Sequence, residues 1–152
     1  RVMPTTAVSI RQGAASLFAD DAQALAAARA LFEPVATVAE LASEDLLHAA
    51  TGVSGSAPAY LYAFVEALEA AGVAAGLTVQ QSADLARATM AGAAALMRES
   101  GEDPATLRKQ VTSPNGTTQA ALEVLTKDGA LEKLLTDTVA ACVARSRELA
   151  GS

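Results

Sequence analysis

The apolar positions in the first third of the chain alternate with turn signals, a pattern typical of short strands. Residues 7–18 place large apolar side chains on both sides of a Gln-Gly pair, which predicts two short strands. Asp20 is the expected N-cap of a helix that ends before Pro34, and residues 35–39 predict a further strand. Two such strands would make only a marginal sheet on their own.

From about residue 43, the apolar spacing changes to the three- and four-residue period of helices. Ser43 is the expected cap of a short helix that Gly52 interrupts, and a longer stripe predicts a helix over residues 56–76. The pattern therefore predicts a mainly α protein with a small stranded segment in front. Further helices are expected from Thr78 to Gly101, from Asp103 to Val111, from Ala120 to Lys127 and from Leu131 to Leu149.

Composition agrees with a helical protein whose interior is built from small side chains. Alanine supplies 38 of the 152 residues, whereas aromatic residues make up only 3%. Alanine has the highest intrinsic helix propensity, and a sheet protein would be richer in β-branched and aromatic residues. A chain of this length and hydrophobic content can bury a core in one domain of ordinary size.

Charge, cysteine and histidine usage exclude several classes of function. The net charge of −6 leaves no clustered basic footprint for a nucleic acid. Glycines and a proline interrupt the longest uncharged run, residues 49–65, so no membrane span is predicted. A single Cys142 cannot form a disulfide within the chain, and a single His48 gives no zinc-ligand spacing. We therefore expect no metal site, no nucleic-acid or membrane partner, and a reducing compartment.

The segment from Ser113 to Thr118 is the first candidate for chemistry, because it places hydroxyl residues and a glycine just before a predicted helix. Unpaired amides at a helix N-terminus, together with the helix dipole, suit a carboxylate or a phosphate. Asn115 and Gly116 permit a positive φ, and the hydroxyls of Ser113, Thr117 and Thr118 add donors. The alternative is an ordinary capped turn between helices, which is the commoner use of these residue types.

A second candidate segment, residues 51–60, is rich in small residues that allow close approach of a ligand or of another backbone. Tight packing is the commoner use of such residues. His48 and Cys142 are interpreted in the same way, as a partly buried packing residue and a small core residue. The sequence contains no glycine-rich dinucleotide loop, phosphate loop or nucleophile elbow.

Four blocks along the chain resemble pyrroline-5-carboxylate reductase, the family that makes proline with NAD(P)H. The Ser-Gly-Ser-x-Pro-Ala-Tyr and Thr-Ser-Pro-x-Gly-Thr-Thr blocks, at their present separation, are highly specific. The resemblance extends over essentially the whole chain and corresponds to the C-terminal part of the family's proteins. The four blocks are residues 1–6, 51–60, 66–77 and 111–118.

The resemblance implies a helical dimerisation domain over residues 43–152, preceded over residues 1–42 by the strands and helix that end a Rossmann domain. In the family, the Rossmann domain holds NADP, with NAD as the alternative cofactor, and the helical domain interleaves with a second copy. A cytoplasmic homodimer is therefore expected, with larger assemblies left open. Since most of the Rossmann domain and its glycine fingerprint are missing here, we expect this chain to dimerise but not to reduce substrate alone.

The resemblance also implies roles for the segment from Ser113 to Thr118. The substrate carboxylate would bind the amides of Gly116, Thr117 and Thr118, with help from the Ser113 hydroxyl. The Thr118 hydroxyl would hydrogen-bond the ring nitrogen, orient the imine carbon and relay a proton to the product amine. Thr118 is accordingly the expected catalytic residue.

Three further residues match functional positions of the family. Glu44 corresponds to a position near the substrate, and Met3 and Gln110 correspond to positions that approach the cofactor. The chain departs from the family pattern at residues 5–7, where Thr-Thr-Ala replaces the usual Asn-Thr-Pro. Asn115 replaces the first glycine of the usual Gly-Gly pair, and the loop is expected to keep its shape because Asn tolerates left-handed geometry.

Two other functions are compatible with the same residues. One is a purely structural helical dimerisation module without catalysis. The other is a reductase of a different cyclic imine, because a carboxylate-binding loop does not define the ring size or the substituents of the substrate.

Overall fold

The computed structural model describes residues 1–151, which form two compact units. One unit contains Arg1–Ala59 together with the chain from Leu134 onward, and the other is Tyr60–Lys133. This division follows contacts and not the domain boundary expected near residue 43, which stays a prediction. The fold class is confirmed, because the chain is mainly helical with a short three-stranded sheet near its N-terminus.

The sheet of the first unit has the strand order β1-β2-β3, with β1 at Val2–Pro4, β2 at Gly13–Leu17 and β3 at Ala36–Glu40. β1 pairs antiparallel with β2, and β2 pairs parallel with β3. Helix α1, Ala22–Phe32, connects the two parallel strands. A parallel pair joined by a helix is the unit from which Rossmann sheets are built. The predicted strand over residues 35–39 is thus confirmed as β3.

Two expectations for the first 20 residues are wrong. The first of the two strands expected within residues 7–18 is instead a 3₁₀ helix, Thr6–Ile10. Thr5 takes the place opposite Ala14, with the Thr5 N–H on the Ala14 carbonyl at 2.9 Å and the Ala14 N–H on the Thr5 hydroxyl at 3.0 Å. Residues 6–12 are therefore left out of the sheet, and most of them form the 3₁₀ helix. The N-cap of α1 is Asp21 and not Asp20, because the Asp21 carboxylate accepts from the Ala24 amide.

The rest of the first unit joins a short helix to the last helix of the chain. Helix α2, Leu46–Ala50, continues into a π-helical turn, Thr51–Gly55. Gly52 is buried in this turn, and a Cβ there would lie 3.0 Å from Val139 Cγ1, so the glycine permits close approach of the last helix. Ser43 is not the cap expected for α2: the capping position belongs to Asp45, and Ser43 contributes only its carbonyl, 3.3 Å from the Leu46 amide.

The second unit consists of helices with strong local end signals. Helix α3 covers Ala57–Ala74, α4 Val79–Ser100, α5 Pro104–Gln110 and α6 Thr117–Leu125; the last helix, α7, covers Ala130–Ala150 and belongs mainly to the first unit. Thr78 and Gln81 form a capping box at the start of α4, and Gly101 ends it with a φ of 67°. Asp103 caps α5, as predicted. Helix α6 begins three residues earlier than the predicted start at Ala120.

Helices α3 and α4 approach each other closely where two small residues meet. Ser82 is buried at 2% exposure, and its hydroxyl donates to the Glu69 carbonyl at 2.7 Å. A Cβ on Gly72 would overlap the Ser82 hydroxyl oxygen. Beside this contact, the exposed Arg87 guanidinium pairs with the Glu69 carboxylate at 2.8 Å. Gly72 thus permits the close contact of the two helices.

Few apolar side chains of the described chain are buried. Among residues 1–151, Ala15, Leu17 and Ala86 are the buried apolar residues, whereas the large side chains of the helical stripes are largely exposed. None of the helices in this part of the chain is long and apolar enough to cross a membrane. The exposed set includes Leu61, Tyr62, Phe64 and Leu68 of α3, Leu85, Leu96 and Met97 of α4, and Leu134 and Leu135 of α7.

Candidate functional site

The candidate site is the loop that joins α5 to α6. Asn115, which stands in place of the first glycine of the family's Gly-Gly pair, has a φ of 59°. This value lies in the left-handed region that Asn tolerates, so the backbone geometry expected for this residue is confirmed. Gly116 is the N-cap of α6 and has an extended backbone, with a φ of −86° and a ψ of 173°. Of the two residues expected to permit a positive φ, only Asn115 uses one. Gly116 must therefore be a glycine for another reason.

That reason is the closeness of the Ser113 side chain. A Cβ on Gly116 would overlap the Ser113 hydroxyl oxygen and would lie 3.1 Å from the Ser113 carbonyl oxygen. The absent side chain lets the hydroxyl fold over the loop toward the start of α6. Ser113 is exposed, so its hydroxyl is accessible to a ligand.

The amides at this helix start differ in their availability. The Gly116 N–H donates to the Ser113 carbonyl at 3.1 Å, so the expectation of a free Gly116 amide is not met. The amides of Thr117 and Thr118 have no acceptor among residues 1–151. Thr118 is half-buried and Thr117 is exposed. Two unpaired donors at the positive end of a helix dipole are suited to an anionic group.

A groove of about 210 Å³ lies beside the same loop, lined by Asn115, Gly116, Gln119, Ala120 and Glu123. Its outer wall carries the Glu123 carboxylate, which accepts from the Gln119 side-chain amide at 2.9 Å. A negative charge in this position opposes an anionic ligand in the groove. Carboxylate binding is therefore favoured at the Thr117 and Thr118 amides and disfavoured beside Glu123.

Glu44 and Met3 belong to the first unit, whereas the loop residues all belong to the second. Glu44 is exposed, pairs with the Arg1 guanidinium at 2.7 Å and lines a cavity of about 230 Å³. Met3 is half-buried, and its sulfur accepts from the Thr51 hydroxyl at 3.0 Å. A Cβ on Gly55 would lie 3.1 Å from the same sulfur. The π-helical turn thus holds the Met3 side chain.

A second ion pair involves Asp45, the residue that follows Glu44 in the sequence. The Arg147 guanidinium donates to the Asp45 carboxylate at 2.8 Å and lowers the pKa of Asp45 below its ordinary value. The His48 Nδ1 atom lies 2.8 Å from the Ser146 hydroxyl, in agreement with the predicted packing role of this half-buried residue. No cluster of metal-binding side chains occurs within the described residues.

Gln110 occupies the last turn of α5, where its side chain is already engaged. The Gln110 amide nitrogen donates to the Glu102 carboxylate at 2.6 Å. The described residues do not include the element that binds the pyrophosphate of a dinucleotide. That element is a glycine-rich turn that leads from a strand into a helix, and the described sheet has none. Met3 and Gln110 stay the predicted cofactor contacts within residues 1–151.

The sequence of this chain is similar to those of known proteins. The family profile described as pyrroline-5-carboxylate reductase dimerisation matches residues 44–149, most of the chain. The chain belongs to the pyrroline-5-carboxylate reductase family. A pyrroline-5-carboxylate reductase from Synechocystis is 41% identical over 152 residues, which cover 98% of this chain and 56% of that protein. Pyrroline-5-carboxylate reductase 2 of Bacillus subtilis is 39% identical over 98% of the chain and 54% of its own length.

Solved structures of the pyrroline-5-carboxylate reductase family share the fold. The structure of a pyrroline-5-carboxylate reductase from Coxiella burnetii has a TM-score of 0.91 at 38% identity, over 98% of this chain and 56% of that one. A pyrroline carboxylate reductase from Plasmodium falciparum, with NADP bound, has a TM-score of 0.81 at 27% identity, over 97% of this chain and 61% of that one. The chain thus spans little more than half the length of the relatives it matches.

Two features of this chain were missed by the sequence reasoning. Gln119 contacts the candidate loop, with its side-chain oxygen 2.8 Å from the Asn115 amide. The spacing of Gln119 and Glu123, four residues apart on a helix, is a signal that could have found it. The π-helical turn at Thr51–Gly55 has no such signal, because its small residues are equally compatible with ordinary tight packing.

Proposed function

We propose that this chain is the substrate-binding and dimer-forming part of an NAD(P)H-dependent reductase that converts 1-pyrroline-5-carboxylate to L-proline. Family membership supports the reaction class. The observation that carries the assignment of the site is the pair of unpaired amides, Thr117 and Thr118, at the start of α6. The substrate is a cyclic imine with a carboxylate, and such a group is what this helix start is suited to bind.

The carboxylate would bind the Thr117 and Thr118 amides at the positive end of the helix dipole. The Ser113 hydroxyl adds a third donor from the opposite side of the loop, and Gly116 leaves room for it. Because the Gly116 amide donates to the Ser113 carbonyl, Gly116 contributes space and not a donor. Hydrogen bonds to a charged group are about twice as strong as neutral ones, so two or three of them fix the substrate's orientation.

The Thr118 hydroxyl is proposed to act on the ring nitrogen. Reduction of the imine adds a hydride to carbon and a proton to nitrogen, and the nicotinamide cofactor, when bound, supplies the hydride. A hydroxyl donates one hydrogen bond and accepts others, so Thr118 can hold the ring nitrogen and pass it a proton from solvent. Glu44 is proposed to lie near the substrate, and Met3 and Gln110 to contact the cofactor, as the family resemblance implies.

The exposed helix faces support the proposed homodimer. Phe64, Leu61 and Leu68 lie on one stripe of α3, and each is more than a third exposed. Contiguous apolar surface of this kind marks an interface in soluble proteins. A second copy of the chain would cover it, and we propose that the active site is completed by a dinucleotide-binding domain from the whole protein.

The assay that tests the function uses the whole protein, with its dinucleotide-binding domain, and 1-pyrroline-5-carboxylate with NADPH or NADH. We expect turnover by the intact protein and none by the chain of residues 1–152 alone. Absence of turnover by the intact protein would reject the proposal. Faster turnover of a six-membered cyclic imine carboxylate would assign the reductase to that substrate instead.

Thr118→Ala tests the site within the same assay. Loss of a hydrogen bond to a charged or developing charged group lowers kcat/KM by about ten- to a hundredfold. Thr118→Ser restores the hydroxyl and should recover most of the activity. Thr89→Ala is the matched control, because Thr89 is an exposed threonine within α4. Equal activity of Thr118→Ala and Thr89→Ala would reject the assigned role of Thr118.

A further inference from the structure

Gln119 lies in the first turn of α6 and bridges two groups on either side of it. Its side-chain carbonyl oxygen accepts from the Asn115 N–H at 2.8 Å. Its side-chain nitrogen donates to Glu123 Oε1 at 2.9 Å. A backbone N–H only donates and a carboxylate only accepts, so these two partners fix which end of the amide faces the loop.

Asn115 is the residue of the loop that most needs such support. Its φ of 59° is left-handed, a region in which a side chain with a Cβ is disfavoured relative to glycine. The left-handed backbone directs the Asn115 N–H toward α6, and Gln119 is its acceptor among the described residues. One hydrogen bond thus links a disfavoured backbone conformation to the helix that follows.

The next peptide carries the substrate site. The Gly116 N–H is fixed on the Ser113 carbonyl at 3.1 Å, and the backbone then turns directly into the amides of Thr117 and Thr118. Two hydrogen bonds from consecutive amides, Asn115 to Gln119 and Gly116 to Ser113, therefore hold the entry to α6. If the first is lost, Asn115 can leave the left-handed region and the direction of the following amides changes with it.

We propose that Gln119 is a positioning residue for substrate binding, which acts through Asn115 to hold the carboxylate-binding amides in place. This inference rests on the proposed function of the loop. Gln119 does not itself face the carboxylate in this scheme, since its two polar atoms are bonded to Asn115 and Glu123. The effect of losing it should therefore depend on whether the substrate carries a carboxylate.

Gln119→Leu in the whole protein removes both hydrogen bonds at nearly constant size and helix propensity. Gln80→Leu is the matched control, because Gln80 forms the same kind of exposed bond to a carboxylate four residues on, Asp84, at 2.8 Å, within α4. Three measurements are made on both variants. They are KM and kcat for 1-pyrroline-5-carboxylate, KM for 1-pyrroline, which lacks the carboxylate, and the inhibition constant of L-proline.

For Gln119→Leu, we expect KM for 1-pyrroline-5-carboxylate and the inhibition constant of L-proline to rise roughly three- to tenfold, because one hydrogen bond that holds the loop is lost. Its kcat and its KM for 1-pyrroline should stay within about twofold of the Gln80→Leu values. Equal constants in the two variants, or an equal loss toward 1-pyrroline, would overturn the positioning role. An intact protein without any activity on 1-pyrroline-5-carboxylate would instead overturn the proposed function.

Glu123→Asp provides a second variant in case Gln119→Leu does not fold. Glu123 is exposed and holds the far end of the bridge, and the shorter side chain keeps the negative charge while it loses the hydrogen bond from Gln119. The same carboxylate-dependent rise in KM is expected at a smaller size, roughly two- to threefold. No change in either the KM or the L-proline inhibition constant of Glu123→Asp would count against the bridge.

Discussion

Gly72→Ala is the substitution for which the structure defines the outcome most directly. The new methyl group would overlap the Ser82 hydroxyl oxygen and would lie 3.2 Å from Ser82 Cβ and 3.4 Å from Leu77 Cδ1. Ser82 is 2% exposed and bonded to the Glu69 carbonyl, so its side chain has no solvent to move into. Either α3 and α4 separate, or the hydroxyl gives up its hydrogen bond.

The magnitude follows from three opposing contributions. Overpacking at a closely packed contact destabilises by about 1–3 kcal/mol. Loss of the Ser82 hydrogen bond adds about 1 kcal/mol, whereas replacing a helical glycine by alanine recovers about 1 kcal/mol. Gly72→Ala should therefore lower the free energy of unfolding by about 1–3 kcal/mol. An exposed helical glycine would give the opposite sign.

A double-mutant cycle with Ser82→Ala separates the overlap from other effects. Ser82→Ala alone removes one hydrogen bond and should cost about 1 kcal/mol or less. In the double variant, the methyl group of residue 72 no longer overlaps a hydroxyl oxygen and keeps the contacts at 3.2 Å with the Cβ of residue 82 and at 3.4 Å with Leu77 Cδ1, so the double variant should be more stable than Gly72→Ala alone. Urea unfolding followed by circular dichroism, at a fixed concentration because a dimer's stability depends on it, measures all four proteins. A Gly72→Ala protein that is more stable than the wild type would refute the close contact.

Two further predictions concern the proposed dimer and the start of α5. Phe64 is 44% exposed, so a partner would cover about 90 Å² of its surface. Phe64→Ala should therefore reduce the free energy of dimerisation by about 2 kcal/mol per chain and raise the dissociation constant of the dimer roughly a thousandfold. Analytical ultracentrifugation measures this, and an unchanged dissociation constant would place the interface elsewhere. The Thr106 hydroxyl and amide lower the pKa of Asp103 below its ordinary 3.8, so its stabilising effect is present above that value and lost as the pH falls through the lowered pKa. Asp103→Asn should flatten the fall in stability between about pH 5 and about pH 3, as measured by urea unfolding, and an unchanged slope would contradict the cap's charge dependence.

The helices could be predicted from the sequence where their ends are encoded locally. The capping box of Thr78 and Gln81, the left-handed Gly101 and the Asp103 cap each need only a few neighbouring residues. The late prediction for the start of α6 has the same origin: Gly116 caps that helix through its backbone alone, without a side-chain hydrogen bond that would mark the position. An N-cap that uses its side chain can be found in a sequence, whereas an N-cap that uses its backbone alone leaves no comparable signal.

The errors in the stranded segment arise from pairing between distant residues. Residues near Val8 have the apolar character of a strand, but Thr5 already occupies the place opposite Ala14. Gly13 reinforces this arrangement, because a Cβ there would overlap the Val8 side chain. Whether a short apolar segment joins a sheet depends on which other residues pair with the neighbouring strand, and the local sequence does not contain this information.

The sequence predicted which donor groups the candidate site contains, but not how these groups are arranged or which contacts they make. Residue types alone indicated donors before a helix, and the structure adds that the Gly116 amide is used within the loop and that Gln119 supports it. The contacts of Glu44 with Arg1 and of Met3 with Thr51 required the fold, since the two partners of each contact lie far apart in the sequence.

Alanine-rich helices and exposed apolar stripes point to the same physical requirement. An alanine buries little surface, and at about 25 cal/mol per Å² a helix hairpin held by Gly72, Ser82 and Ala86 gains little from its own contacts. The larger side chains that could add more, such as Phe64 and Leu68, are not covered within their own unit. In the proposed dimer, these helices would gain the missing stability through association, and a site carried by α6 would depend on the same association for its rigidity. Substrate binding and dimer formation should consequently weaken together in variants of the α3 stripe.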